Sequence, residues 1–249
     1  MPSRGSSPLH FSRFEFKYVL DRNRREEVEA ELQHFVELDP FVAGQPTHMY
    51  FVRSLYFDDR SLSAFHDKMD GMLTRSKFRV RTYGRSLDDR APWFLEIKGR
   101  HNNLVFKHRT PIKGDFDPRV RGEALSRLLL RAAEPGTVRD QFEFALYRQQ
   151  IQPIVLVDYV RRPYVSRFDP EFRLTFDAEL AASATDTMFP DAAVRTRPML
   201  RGMTVMELKF RRHVPVWFHR ILQAFELRRT SISKICAGTE VLGLQLDPN

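Results

Sequence analysis

Charged side chains occupy every second position of several short segments whose remaining positions are apolar. In the segment FRVRTYG, Arg79 and Arg81 alternate with Phe78 and Val80. Successive side chains of a β-strand point to opposite faces, so this spacing predicts a strand with one cationic and one apolar face. The same alternation recurs in RFEFKY, FLEIKGR, FKHRT, FRLTFD and VMELKF. Its charged members include Glu15, Lys17, Glu96, Lys98, Lys107, Arg109, Arg173, Asp177, Glu207 and Lys209.

The cations of this set suit a phosphate-rich anion. Arginine offers a planar fork of donors and lysine a mobile point charge, and phosphoryl transfer depends mainly on positioning and charge neutralisation. The alternative is a ladder of salt bridges across neighbouring strands, for example between Glu96 and Arg79. A single pair does not decide between the two interpretations. The whole set favours an anion, because many cations gathered in a dry interior need a counter-charge.

The carboxylates are candidate ligands of a hard divalent cation, which prefers oxygen donors. The candidates are Glu207, Glu15, Glu96 and Asp177. The alternative for each glutamate is an ion pair with the lysine two positions further on, or with a cation on a neighbouring strand. The pattern alone leaves both interpretations open for these carboxylates.

The composition indicates a globular protein with a polyanionic partner. Its 249 residues are 42% hydrophobic and 29% charged, and the formal net charge is +8. Such a balance favours nucleic acid, acidic lipid or a phosphate-rich small molecule. Nucleic acid is disfavoured, because the cations lie within strands and not on one exposed helix or patch. The sequence contains no P-loop, so ATP would not be bound through that motif.

Features that bear on cellular location are few. The longest apolar run, PIVLV, is far too short to cross a bilayer, so we expect no transmembrane segment. Residues 1–10 lack the apolar core of a signal peptide and are expected to form a disordered extension. The single cysteine, Cys236, excludes an internal disulfide and suits a reducing compartment. We therefore expect a cytoplasmic protein.

Hydrophobic periodicity and turn residues predict one α+β domain over residues 11–249. Strands are expected near 77–83, 93–98, 104–110, 154–161, 164–169, 172–177 and 205–210, and helices near 119–133, 137–150, 215–226 and 231–242. Asp21 is a plausible N-cap for an earlier helix. Mostly short connections favour an antiparallel sheet over βαβ units. Closing that sheet into an antiparallel β-barrel, with helices packed around the outside, would turn the charged faces inward.

Nine segments occur in a recognisable order between about residue 11 and residue 242. They are FEFKY, LYFDD, FRVRTYG, FLEIKGR, KHR, DYVRRPY, RLTFD, MELKF and SISK. In this order they resemble the VTC polyphosphate polymerase domain of the triphosphate tunnel metalloenzymes, a CYTH-like superfamily. The resemblance implies an antiparallel β-tunnel and transfer of the terminal phosphoryl group of ATP to a growing polyphosphate chain. It also implies a divalent cofactor, Mn²⁺ or Mg²⁺.

The resemblance assigns roles to individual residues. It implies phosphate-binding, catalytic cations at Lys17, Arg79, Arg81, Lys98, Lys107, Arg161, Arg173 and Lys234. It implies substrate contacts by Tyr159 and Ser233, to which the strand alternation adds Arg109 and Lys209. The metal ligand of the family falls on Glu207, which makes this residue the first choice and leaves Glu15, Glu96 and Asp177 as supporting choices.

Three activities remain open, because each needs nearly the same cationic lining. The leading hypothesis is a metal-dependent polyphosphate polymerase whose partners are ATP, or another triphosphate, and inorganic polyphosphate. The second is a tunnel hydrolase that cleaves a triphosphate or polyphosphate. The third is a non-catalytic module that binds polyphosphate or nucleotides.

Overall fold

The structure, a computed structural model, describes residues 14–89, 91–102, 104–114, 117 and 119–246. The extension expected at residues 1–10 lies outside the described residues. The strands are β1 Phe14–Leu20, β2 Val36–Leu38, β3 Tyr50–Asp58, β4 Thr74–Thr82, β5 Trp93–His101, β6 Leu104–Ile112, β7 Gln152–Ser166, β8 Arg173–Ala184, β9 Thr196–Pro198 and β10 Thr204–Phe210. The α-helices are α1 Arg22–Leu32, α2 Pro40–Ala43, α3 Ser63–Met69, α4 Gly122–Ala132, α5 Thr137–Phe144, α6 Val216–Ala224 and α7 Lys234–Leu242.

The strands form one antiparallel sheet, which confirms that part of the predicted fold. Their order is β1-β10-β8-β7-β3-β4-β5-β6, with β2 added to β7 and β9 added to β8. Among the described residues the edge strands β1 and β6 are not hydrogen-bonded to each other, so the predicted closed barrel is only partly right. The outer edge of β1 is instead covered by Thr230, whose N–H donates to the carbonyl of Lys17 at 2.8 Å. A side-chain contact joins the two ends of the sheet, since Lys98 Nζ of β5 lies 2.6 Å from Glu15 Oε2 of β1.

Two apolar layers cover the outer face of the sheet. Helices α4 and α5 pack on β3, β4 and β5, while α1 and α6 pack on β1, β8 and β10. Fully buried members of these layers include Leu55, Val80, Leu95, Leu125, Leu129, Phe142, Val28, Leu32, Phe172, Leu174, Leu208 and Phe218. Their burial stabilises the packing of these helices on the outer face of the sheet.

Helix α7 packs on the inner face, which corrects the expectation that the helices lie around the outside. Ile235 and Cys236 belong to an apolar cluster on the inner sides of β3, β7, β8 and β10. Gly238 allows the close approach, because a Cβ there would lie 3.0 Å from Val155 Cγ1 and 3.3 Å from Ala182 Cβ. The inner face is therefore apolar along one part, where the helix sits, and charged along the rest.

A bulge in β8 determines which of its side chains point inward. Asp158 and Val160 of β7 are two residues apart, whereas their partners in β8, Ala181 and Ala178, are three residues apart. Glu179 lies in the bulge with φ of 55°, a left-handed conformation that few non-glycine residues adopt. Asp177 on one side of the bulge and Leu180 on the other consequently face the same interior. Simple alternation would have placed them on opposite faces.

Strand β7 is longer than the sequence predicts. The strands expected at 154–161 and 164–169 form one continuous strand, and Pro163 lies within it opposite Thr175.

Among the described residues, no helix combines the length and the hydrophobicity that a bilayer crossing requires.

Candidate functional site

A cavity of about 430 Å³ lies on the inner face of the sheet, at the N-terminus of α7. Among the described residues its wall contains thirteen lysine or arginine side chains and two carboxylates. The cations are Lys17, Lys68, Arg75, Lys77, Arg79, Arg81, Lys98, Arg100, Lys107, Arg161, Lys209, Arg229 and Lys234, and the carboxylates are Glu15 and Glu207. So large an excess of positive charge makes the cavity attractive to a multiply charged anion.

Glu96 is fully buried and holds cations of the cavity wall from behind. Its Oε2 accepts from Nε of Arg79 at 2.7 Å and lies 3.8 Å from Nη1 of Arg81. Its Oε1 lies 2.6 Å from Nζ of Lys107. Burial opposes ionisation of this carboxyl, but Arg81, Arg79 and Lys107 outweigh it and lower the pKa of Glu96 below its usual range. Glu96 does not line the cavity, and its oxygens are engaged by cations.

Asp177 plays the same part for a second pair of cations. Its two oxygens accept from Nε and Nη2 of Arg161 at 2.6 and 2.7 Å, and Oδ2 also accepts from Lys234 Nζ at 2.6 Å. Burial raises the pKa of Asp177, but Arg161 and Lys234 outweigh it and lower that pKa to about 2. The charge-assisted pairs therefore orient both cations while their carboxylate partner stays out of the cavity wall.

Strands β1 and β10 place alternating charges next to each other. In their register Glu15 is opposite Lys209, and Lys17 is opposite Glu207. Glu207 Oε1 lies 3.0 Å from Lys209 Nζ. Burial raises the pKa of Glu207, but Lys209, together with more distant cations, lowers it well below its usual range. Burial likewise raises the pKa of Glu15, but Lys98 and Lys209 lower it to about 2. Both carboxylates are therefore ionised, and both line the cavity.

Lys17 is attached to the segment that precedes α7. Its Nζ donates to the carbonyl of Ile232 at 2.7 Å. Burial lowers the pKa of Lys17 to about 8, although Glu207 opposes the shift. A bound anion would favour the charged form of this amine.

The N-terminus of α7 contributes further positive potential. Ser233 precedes the helix, and its Oγ accepts from Lys77 Nζ at 3.1 Å. The first backbone N–H groups of an α-helix have no partner within the helix, and the helix dipole is positive at this end. Ser233, Lys234 and Ile235 line the cavity, so this end faces the space where an anion would sit.

Two residues expected at the site lie elsewhere. The guanidinium of Arg173 is at the exposed start of β8, where its Nη1 is 3.9 Å from Asp39 Oδ2. Arg109 is exposed, and its guanidinium lies 4.7 Å from the centre of the Phe94 ring. The alternation predicted on which face of the sheet these side chains lie. It did not predict whether their positions along the strand lie next to the cavity. Neither residue lines the cavity with the other predicted cations.

Several lining residues were missed by the sequence analysis. They are Tyr56, Lys68, Arg75, Lys77, Arg100 and Arg229. Arg75 and Lys77 continue the alternation of Arg79 and Arg81 toward the start of β4, so extending that pattern would have found them. Arg100 belongs to the predicted alternation of FLEIKGR along β5, but it was not among the residues predicted for the site. Lys68 and Arg229 lie outside strands, where no period marks them.

The oxygen donors of the cavity fit a hard divalent cation. Glu207 and Glu15 line it, whereas Glu96 and Asp177 do not. The part of the chain that the structure describes contains no group of three or more His, Cys, Asp and Glu arranged for a metal. Mg²⁺ is commonly held by only one or two carboxylates, together with substrate phosphates and water. A metal at this site would therefore share its coordination with the anion.

Comparisons with known proteins agree with this architecture. A curated protein similar to this chain is subunit 4 of the vacuolar transporter chaperone complex of Trypanosoma brucei brucei, with 24% identity over 172 residues. That alignment spans 59% of this chain and 21% of the relative, so the chain spans about a fifth of the relative's length. A crystal structure of a Bacillus halodurans protein named as an adenylate cyclase has a TM-score of 0.52 at 14% identity. It covers 89% of this chain and 93% of that one, and it supports the fold.

A Mimivirus capping enzyme triphosphatase is a more distant structural neighbour, with a TM-score of 0.37 at 9% identity over 88% of this chain and 90% of that one. The family comparison is the most extensive, since the VTC domain matches residues 12–243. Because this match covers most of the chain, and the predicted strand segments fall within it, the protein belongs to the VTC domain family.

Proposed function

We propose that this protein transfers the γ-phosphoryl group of ATP to a growing inorganic polyphosphate chain in a metal-dependent reaction. The observation that carries the proposal is the convergence of Arg79, Arg81, Arg161 and Lys234 on one cavity, each held by a buried carboxylate or a tyrosine. Phosphoryl transfer requires mainly the positioning and neutralisation of a highly charged group. Cations that are already oriented can position and neutralise such a group with little reorganisation of the protein.

The arginines are suited to the non-bridging oxygens of the phosphate chain. Arg79 uses Nε, Nη1 and Nη2 toward Glu96 and Tyr56, and Arg81 uses Nε and Nη2 toward Ser54 and Tyr159. A guanidinium has five N–H donors, so both arginines retain donors for an anion. Their protein contacts limit the rotation of the side chains and aim these remaining donors.

The cations nearer the rim are suited to the rest of the substrate. Lys98, Lys209, Arg100 and Arg229 line the cavity with Glu15 and Glu207. A Mn²⁺ or Mg²⁺ ion held by Glu207, with Glu15 as a second donor, would draw negative charge from the phosphate oxygens. The more buried cations would orient the terminal phosphoryl group, while the cations nearer the rim would bind the adjacent phosphates. The proposed partners are therefore ATP, or another triphosphate, and inorganic polyphosphate.

Product analysis tests the proposal. The purified protein is incubated with ATP in the presence of Mn²⁺ or Mg²⁺, and the products are separated by chain length. Long phosphate chains together with ADP are expected. Orthophosphate as the sole phosphate product would identify a hydrolase, and unchanged ATP that is bound tightly would identify a binding module. Either result would overturn the polymerase assignment without removing the anion site.

A further inference from the structure

The geometry points to Tyr56 as a further substrate-contacting residue, whose hydroxyl donates a hydrogen bond to a phosphoryl oxygen of the bound chain. The inference rests on the proposed function, because it takes a phosphate chain as the occupant of the cavity. It adds a neutral donor to a cavity wall in which charged groups predominate.

The hydrogen-bond pattern at Tyr56 leaves its own hydrogen available. Nη1 of Arg79 donates to the Tyr56 hydroxyl oxygen at 2.9 Å, so this oxygen is an acceptor in that contact. A tyrosine hydroxyl has one hydrogen to donate. Within the described ranges, no protein group accepts that hydrogen, although Tyr56 is only 5% exposed and lines the cavity. An anion in the cavity would supply the missing acceptor.

The surroundings of Tyr56 hold the ring in place. It belongs to the inner apolar cluster with Val155 and Ile235, so the aromatic ring is packed against β7 and α7. The Arg79 guanidinium lies 5.6 Å from the ring centre. A packed ring with a polar tip at the cavity wall resembles a fixed donor more than a mobile one. The hydroxyl is therefore positioned before any ligand arrives.

Nearby charges make this hydroxyl a stronger donor. Burial alone raises the pKa of Tyr56, but Arg79 and Arg81 of β4 and Lys234 of α7 outweigh it and lower the pKa to about 8. Tyr159 of β7 also faces the same wall of the cavity. A more acidic O–H forms a stronger hydrogen bond with an anionic oxygen. The neutral phenol is the donating form, whereas the phenolate formed above about pH 8 would repel phosphate.

Titration calorimetry with inorganic tripolyphosphate, in metal-free buffer, tests this on the wild-type protein and on Tyr56→Phe. At pH 6.5 we expect Tyr56→Phe to bind about 10-fold more weakly, the loss typical of a hydrogen bond to a charged group. The dissociation constant of Tyr56→Phe divided by that of the wild type should fall to one or below at pH 9.5, because the wild-type hydroxyl is then a phenolate, which donates no hydrogen bond and repels the anion. Burial lowers the pKa of Lys17 to about 8 and that of Lys107 to about 6. Both lysines are present in the two proteins, so we expect their effects to cancel in the ratio.

Tyr164→Phe is the matched control, because its hydroxyl donates to Glu29 Oε1 at 2.6 Å, and neither residue lines the cavity. It should bind tripolyphosphate like the wild type at both pH values. A ratio for Tyr56→Phe that stays constant with pH would mean that the residue only supports Arg79, and would overturn the inference. Equal affinities at pH 6.5 would overturn it as well.

A spectroscopic measurement keeps the inference testable if Tyr56→Phe does not fold. The ultraviolet absorbance of phenolate in the wild-type protein should show one tyrosine ionising near pH 8, and saturating tripolyphosphate should move this ionisation to higher pH. An ionisation that is unaffected by ligand would overturn the inference. A wild-type protein that binds tripolyphosphate but makes no polyphosphate would refute only the polymerase proposal. Failure to bind tripolyphosphate would refute both.

Discussion

The Nζ atom of Lys234 lies 2.6 Å from Oδ2 of Asp177, which joins the first turn of α7 to the inner face of β8. Both side chains are buried, and the same carboxylate also binds Arg161. The contact therefore links the position of the inner helix to the orientation of two cavity cations. Removing the carboxylate would leave both cations buried without a counter-charge, which is costly.

We predict that Asp177→Ala lowers the free energy of unfolding by about 3–5 kcal/mol, the usual cost of breaking a buried ion pair. Urea unfolding at pH 7 measures the change. Glu123→Ala is the control, because Glu123 pairs with Arg127 on the exposed surface of α4. It should change stability by about 0–1 kcal/mol. Similar losses in the two variants would show that the buried pair has no special role.

We predict that Arg81→Ala weakens tripolyphosphate binding by roughly 10- to 100-fold, because a charge-assisted contact contributes about 1.5–3 kcal/mol. Arg109→Ala is the matched control, since this arginine occupies the same kind of alternating position but lies outside the cavity. Its affinity should equal that of the wild type. Calorimetry measures binding, and circular dichroism confirms that both variants fold. Equal losses in the two variants would contradict the assignment of Arg81.

The sequence predicted the antiparallel sheet and most cavity cations because alternation has a direct physical cause. Side chains of a strand change face at every residue, so Lys17, Arg79, Arg81 and Lys98 could be placed on one face from their spacing alone. The same rule could not place Arg173 or Arg109 along the strand direction. The position of a residue along the strand, relative to the other strands, depends on the pairing register, which is set by residues far away in the sequence.

The inner position of α7 could not be predicted from local pattern. Its apolar residues would suit packing on either face of the sheet, and the small residue Gly238 becomes informative only once Val155 and Ala182 are known to lie against it. The bulge at Glu179 was equally hidden, because nothing in the local sequence requires its φ of 55°. The resemblance to the VTC domain predicted Ser233 and Lys234, which strand alternation alone would not have found.

We predict that Glu207→Gln raises the concentration of Mn²⁺ needed for half-maximal turnover, because Glu207 lines the cavity and is the proposed ligand of the metal. Turnover should fall sharply and recover in part at high Mn²⁺. Glu96→Gln should also lower turnover but leave the Mn²⁺ requirement unchanged, since Glu96 lies behind the cavity wall and binds Arg79 and Lys107.

Steady-state kinetics over a series of Mn²⁺ concentrations distinguishes the effects of these two substitutions. If Glu207→Gln keeps the wild-type Mn²⁺ requirement, Glu15 becomes the better candidate ligand, because it is the other carboxylate that lines the cavity in the described structure. If Glu96→Gln changes the requirement, its assignment as an anchor for the cations is wrong.

The last prediction concerns Gly238, which connects helix packing to the site. Gly238→Ala should change stability by less than about 1 kcal/mol, because the tight contacts with Val155 and Ala182 oppose a gain in helix propensity of similar size. Gly238→Val adds bulk that the contacts cannot accept, and overpacking of this kind costs about 1–3 kcal/mol. It should also displace α7 from β7 and β8, and with it Lys234. We therefore expect Gly238→Val, but not Gly238→Ala, to weaken tripolyphosphate binding in protein that is still folded. A Gly238→Val protein with reduced stability and wild-type affinity would show that the inner helix and the anion site are energetically independent.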